Sequence, residues 1–207
     1  MTTLAKIIVA TLLSLSLFSC NFDVNFNTGG IKGNGNVQTE ERTINEPFTA
    51  IHASEGLDVY LTQGNHESIT VEADENLLNI IVTEVVDHTL KIHCKENIGR
   101  SKSQKIRVTF NDISKIVSTS GSDVYSTNAI NTEELELTST SGSDMKVEVE
   151  TSVLICKSTS GSDLKISGKT DRLIAEATSG SDIKAEKLIA QSSQVKATSG
   201  ADITINT

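Results

Sequence analysis

The sequence has no tryptophan, one proline, five phenylalanines and two tyrosines among 207 residues. A sugar site built on stacked tryptophan rings is therefore excluded. Positive charge is also scarce: 18 Lys+Arg stand against 27 Asp+Glu, a formal charge of −9 and a pI near 4.9. Nucleic acid recognition rests on basic faces, so a nucleic acid partner is not expected. The three cysteines are Cys20, Cys94 and Cys156. The last two fit apolar columns as small buried hydrophobes, although an oxidising compartment would permit their pairing. The longest apolar run, "IIVATLLSLSLF", has twelve residues, too few to span a bilayer as a helix.

That run has another use. It follows Lys6 and ends at Leu17-Phe18-Ser19-Cys20, the arrangement of a secretion leader. The last four residues resemble a bacterial lipobox, with Phe18 bulkier than the usual residue there. Residues 1–19 are then a leader, and Cys20 is the lipidated N-terminus that ties the chain to a membrane. Residues 20–45, with "NTGGIKGNGNVQTEE", are rich in Gly and Asn and lack periodicity, as a flexible tether does. Alternating patterns begin near Phe48, so the domain is assigned to 46–207.

Within it one turn is written five times. TSGSD stands at 119–123, 140–144, 159–163 and 178–182, and TSGAD at 198–202. The glycines Gly121, Gly142, Gly161, Gly180 and Gly200 recur about every 20 residues, the period of a β-solenoid. Aligned on them, apolar columns appear: Val124, Met145, Leu164, Ile183 and Ile203 after the glycine, and Ile116, Leu137, Cys156, Ala175 and Val195 before it. A column of small residues runs through Ser118, Ser139, Ser158, Ala177 and Ala197. These positions share one parity on each side of the glycine, as strands with one buried face require. The opposite parity carries Thr119 and its equivalents, then Asp123, Asp144, Asp163, Asp182 and Asp202, then Tyr125, Lys146, Lys165, Lys184 and Thr204. An earlier, degenerate copy, "IHASEGLDVYLTQG", puts Ile51, Ala53, Gly56, Asp58, Val59 and Leu61 in the same columns. The glycine supplies positive φ where the chain bends. The segment "ENLLNIIVTEVVDHT" is irregular, either a short helix or a wider coil.

The repeat invites two chemical readings besides the cysteines. Calcium takes six to eight oxygens, and one carboxylate per coil does not supply them. No metal or other cofactor is expected, and the Asp side chains are expected to bond the turn backbone instead. Catalysis needs convergent acid and base groups. His52, His66, His88 and His93 all precede the repeats, and no catalytic set can be assembled, so no enzyme is expected. The aspartate column is then a solvated ladder on the outer face.

The leader, the "LDVYLTQG…SITVEADENLL" stretch, the "TLKI…KIRVTF" pair and the serial SGSD turns together resemble the head GIN domain family. These are bacterial secreted or lipid-anchored proteins, common in Bacteroidetes and described as auto-transporter adhesins. The resemblance covers about 45–207. It implies an all-β, single-stranded parallel β-helix, right-handed as parallel crossovers generally are, and no established biochemical activity. No translocator barrel follows "DITINT", so a literal autotransporter is not expected. The expected role is a lipid-anchored outer-membrane protein presenting a Thr/Asp/Lys face to a glycan or protein ligand at the cell surface. The alternatives are a periplasmic envelope scaffold without an external ligand, or a polysaccharide-acting β-helix enzyme. After the last turn only "ITINT" follows, without proline or a charge run, so an open edge at 195–207 and edge-mediated self-association are expected.

Overall fold

The computed structural model describes residues 29–206. Cys20 and the leader lie outside them. The strands are β1 (Val37–Arg42), β2 (Ala50–Ala53), β3 (Asp58–Gln63), β4 (Ser68–Asp74), β5 (Ile81–Val86), β6 (Thr89–Cys94), β7 (Gln104–Phe110), β8 (Lys115–Ser118), β9 (Asp123–Thr140), β10 (Asp144–Thr159), β11 (Asp163–Thr178), β12 (Asp182–Ala197) and β13 (Asp202–Ile205). Among the described residues a single 3₁₀ turn, Glu75–Leu77, opens the irregular segment, which continues through a turn into strand β5 and the turn that joins β5 to β6.

From β8 onward the architecture is a parallel β-solenoid. Each SGSD turn is a corner between two strands, and each long strand carries the chain round the other corner into the next coil. Its register is set by alternation. In β10, Met145, Val147, Val149 and Thr151 point in. The phase slips near Ser152, and Leu154, Cys156 and Ser158 point in beyond it. The slip lets a strand bend without breaking. In β11 the same slip lies near Asp171, between buried Thr170 and Leu173, and shortly before it stands Gly168 (φ +109°), where a Cβ would collide with the Val149 carbonyl oxygen. The inward columns stack directly: Val124 on Met145, Leu164 and Ile183, and Ile116 on Leu137, Cys156 and Ala175. Each buried side chain contributes roughly 1.5–3 kcal/mol, and one core runs the length of the molecule.

The coils do not stack in chain order. Strand β2 lies between β6 and β8, and β3 lies between β7 and β9, all parallel. The first coil formed by the chain is thus sandwiched between the β6–β7 coil, which comes later, and the β8–β9 coil. Antiparallel strands finish that end: β5 pairs with β6, β4 with β7 and β1 with β4.

Strand β1 corrects the expected tether. From residue 29 the chain is docked on the domain. Ile31 bridges Ile98 in parallel, and the buried Asp74 carboxylate accepts the N–H groups of Gly35 (2.9 Å), Lys102 (3.1 Å) and Ser103 (3.2 Å). Burial alone would raise this carboxyl. The three backbone donors and the Lys102 charge more than reverse that and hold it below the ordinary range.

A second correction is at the opposite end. Val195, assigned to the apolar column, is 44% exposed, and Ala197 is exposed too. Their segment of β12 pairs with β11 on one side, and among the described residues no strand lies on the other. A column position is buried only when a coil lies over it. Ile203 and Ile205 are partly buried against the core.

Cys94 and Cys156 are both buried free thiols. Between β6 and β10 there are four strand steps (through β2, β8 and β9), roughly 19 Å at 4.8 Å per step. A disulfide needs Cα atoms within about 7 Å. Burial, with the nearby Glu55 charge adding to it, pushes the Cys94 thiol up to about 11. Burial also raises Cys156.

Candidate functional site

The corner turn is built from residues that the sequence pattern left unexplained. In each TSGS the two central residues both have positive φ: Ser160 is at +58° and Gly161 at +70°. This is a type I′ arrangement, which requires φ > 0 at both positions. Nothing lies within 4 Å of a Cβ built on Gly161, so the glycine is needed for its backbone angle rather than for space. Serine in the left-handed region is strained by about 1–2 kcal/mol. It is held there by the stack: the Gly161 N–H donates to the Ser179 carbonyl (3.2 Å), and Gly142 to Ser160 (3.1 Å).

The second serine of the turn faces inward. Ser122, Ser143, Ser162 and Ser181 are fully buried. The Ser162 hydroxyl accepts the Thr159 N–H (3.2 Å) and lies 2.8 Å from the Ser139 carbonyl of the preceding coil, to which it donates. Ser143 and Ser181 repeat the bond to Ser118 and Ser158 at 2.8 and 2.7 Å. A serine hydroxyl thus staples each coil to the one before. The expected bonding of the turn backbone falls mainly to this serine column, while the Asp123 carboxylate takes a backbone contact from Asp144.

The aspartates are left facing out. Asp58, Asp123, Asp144, Asp163, Asp182 and Asp202 stand in unbroken register, with Lys105 beside Asp58 at the far end. Burial raises the Asp123 carboxyl, and the charges of Asp144 and Asp58 add to the rise against a hydrogen bond from Tyr125. Lys184 Nζ reaches both Asp163 (3.3 Å) and Asp182 (3.1 Å). The glycines Gly121, Gly142, Gly161, Gly180 and Gly200 mark the turns behind this row.

Two residues further on, a second row crosses the same sheet: Arg107, Tyr60, Tyr125, Lys146, Lys165, Lys184 and Thr204. The tyrosine rings stack at 5.3 Å. Burial and the Asp123 charge push the Tyr125 hydroxyl up to about 12. The three lysines border a cleft of about 380 Å³ that also takes in Ser167, Glu186 and Lys187 over the edge of Ile166.

The sheet before the turn is arranged differently. There the row Lys157–Glu176–Lys196 alternates in sign, and Glu136 pairs with Lys115 and Lys157, both at 3.1 Å. The same coils therefore carry alternating charges on one face and like-charged rows on the other.

His93 pairs with Glu84 at 3.2 Å. His52 is lowered by burial and then by Lys91 and His93. Among the described residues, no three His, Cys, Asp or Glu side chains converge as metal ligands.

The family model described as "Putative auto-transporter adhesin, head GIN domain" matches residues 47–207. Solved structures similar to this chain include a "putative adhesin" from Bacteroides fragilis (21% identity, 85% of this chain and 83% of that one, TM-score 0.79). A second is a "putative adhesin" from Parabacteroides merdae (18%, 84% and 83%, TM-score 0.69). A third is a "putative lipid binding protein" from Parabacteroides distasonis (19%, 84% and 84%, TM-score 0.64). At these identities the likeness is one of fold. No curated protein matches the chain.

Proposed function

The chain belongs to the head GIN domain family, and on that premise we propose that it is a non-catalytic binding module of the cell surface. Lipid on Cys20 anchors it in the outer membrane, and the sheet that follows the SGSD turns is its binding face. One observation carries the reading: among the described residues, like charges stack in long register on that face and alternate on the sheet before the turn. In water, two carboxylates one strand apart repel by about 1 kcal/mol, and six stand in a row. The turns behind them take their inward hydrogen bonds from serine. The opposite face of the same coils alternates its charges. Lys184 offsets the repulsion at Asp163 and Asp182, and Tyr125 bonds Asp123; the remaining cost of the row is accounted for by something outside the molecule.

Protease treatment of intact cells tests the placement. The domain should be digested while a periplasmic marker survives, and Cys20→Ala should move the protein out of the membrane fraction. A domain spared on intact cells and digested only after lysis would overturn surface display and favour a periplasmic scaffold.

A further inference from the structure

Three hollows compete for a ligand. The first, about 590 Å³ beside residues 41–47, is walled by Glu41, Glu46 and Glu67 against Arg42. It is acidic and shallow, and Arg42 is already engaged by Glu40 and the Leu78 carbonyl. The second, about 530 Å³, runs over the far corner, where Thr151 and Thr170 bond each other and Gln191 bonds Asp171. Its charged lining, Glu133, Glu150, Lys169 and Asp171, is mixed in sign and carries no excess of cations. The third is the lysine cleft, where among the described residues Lys146, Lys165 and Lys187 have no ion pair and Lys184 is shared between Asp163 and Asp182.

The cleft is made by a defect in the ladder. Lys165 lies opposite Lys184, but Ser167 lies opposite Lys187. Between these pairs Ile166 of β11 faces both Ala185 and Glu186 of β12, which is a β-bulge. Bulges re-aim side chains and recur beside functional sites. Strict alternation from Lys184 would turn Lys187 inward. With the extra residue, Ala185 and Leu188 are buried while Glu186 and Lys187 are both exposed. The bulge thus adds a fourth lysine to the three in the row. Among the described residues Lys146, Lys165 and Lys187 have no ion pair, and Lys184 is held in place by Asp163 and Asp182. On a chain of charge −9, this is a local reversal of sign with a shaped floor.

We propose that this cleft binds an extended anionic polysaccharide, one bearing carboxylates or sulfates, laid along the solenoid axis across β10, β11 and β12. The lysines repeat at the coil spacing of about 4.8 Å, so they offer a line of cations rather than a point. Beside them the Asp144–Asp163–Asp182 row offers acceptors, with Ser167 and Glu186 in the cleft itself. Sugar hydroxyls can donate to these acceptors while the acid groups meet the lysines. That pairing of acceptors with cations favours a glycan over a nucleic acid. Duplex DNA carries one charge per about 1.7 Å, far denser than the lysines, and its phosphates would face the aspartate row. Tyr60 and Tyr125 stack on each other, which takes up a face of each ring that a base could use.

The inference rests on reading this sheet as the binding face, and the two fail separately. The test uses the soluble domain with its N-terminal segment, probed with polygalacturonate, with neutral dextran and with duplex DNA. Polygalacturonate should bind, with affinity falling steeply as salt rises; dextran should not. Lys165→Glu should weaken binding by about tenfold or more, and Lys146→Gln with Lys165→Gln should do so without reversing charge, both at an unchanged thermal midpoint. Equal binding of dextran, indifference to both lysine variants, tighter binding of DNA, or no binding of polygalacturonate overturns the proposal. A domain that is shaved from cells yet ignores polygalacturonate retains surface display and loses this ligand. One that binds it through these lysines but is not shaved retains the ligand and loses the surface.

Discussion

At the residue scale, neighbouring positions in one strand have opposite duties. Leu164 is buried and stacks on Met145 and Ile183, while Lys165 points out beside Lys146 and Lys184. Leu164→Asp places a charge in the core and should cost several kcal/mol or prevent folding. Lys165→Asp changes an exposed charge and should cost on the order of 1 kcal/mol or less. Ser162→Ala should fall between them, at about 1–3 kcal/mol, because it leaves the Ser139 carbonyl and the Thr159 N–H without their inward partner. Thermal melts of the three variants give this order; equal midpoints for the first two would refute the assigned register. The in-and-out assignment was legible because alternation alone sets it. The staple was not. A serine beside glycine reads as ordinary turn chemistry, and only the stacking of coils puts the hydroxyl of Ser162 under a carbonyl 23 residues away. The signal was in the exceptions: the position is Leu57 in the first copy and Ala201 in the last.

At the scale of elements, the two ends of the solenoid are unlike. One is finished by antiparallel β1, β4 and β5 and pinned by Asp74. At the other, no strand among the described residues covers the outer side of β12 and β13, and Ile189 and Val195 are 61% and 44% exposed beside it. An uncovered strand edge is a template for pairing. In the 207-residue chain, amides of residues 192–206 should exchange rapidly in dilute solution and slow at high concentration, as the solution mass rises. Strong protection in a dilute, strictly monomeric sample would show that this edge is covered by another means. The repeating coils were legible through their glycines and columns. The order of the first coils was not, because "TLKIHC" and "KIRVTF" each read as a strand but carry no mark of which neighbour they join. The docking of residues 29–42 was hidden for a related reason. A Gly- and Asn-rich stretch looks like a linker, and its order comes from partners such as Asp74, about 40 residues on.

At the scale of the whole molecule, the acidic ladder and the paired acids respond to pH with opposite signs. Burial raises Asp58 against the partial counter-effect of Lys105. Burial also raises Asp123, and the Asp144 and Asp58 charges add to it. A carboxyl raised in the folded state holds its proton more tightly than in the unfolded chain. Its contribution to stability therefore grows as pH falls through the raised value towards the ordinary aspartate range near 4. Glu72 is lowered by hydrogen bonds from Arg107 and Ser103, and Glu176 by Lys196. Asp74 and Glu136 are lowered as well: backbone donors outweigh burial at the first, and Lys115 with Lys157 at the second. These four stabilise the fold above the ordinary carboxyl range, and that contribution is lost as pH falls through their lowered values. The thermal midpoint should therefore pass through a shallow maximum between neutrality and about pH 4, then drop steeply below it. The ladder groups are partly exposed and screened, so the rise should be small, about 1–3 °C. Asp123→Asn removes the central repulsion. Its midpoint should exceed the wild-type value at pH 7, and its rise on acidification should shrink. A wild-type midpoint that only falls from pH 7 to pH 4, with Asp123→Asn following the same curve, would mean that the aspartate row carries no appreciable repulsion. The energetic argument for an external use of that face would fall with it.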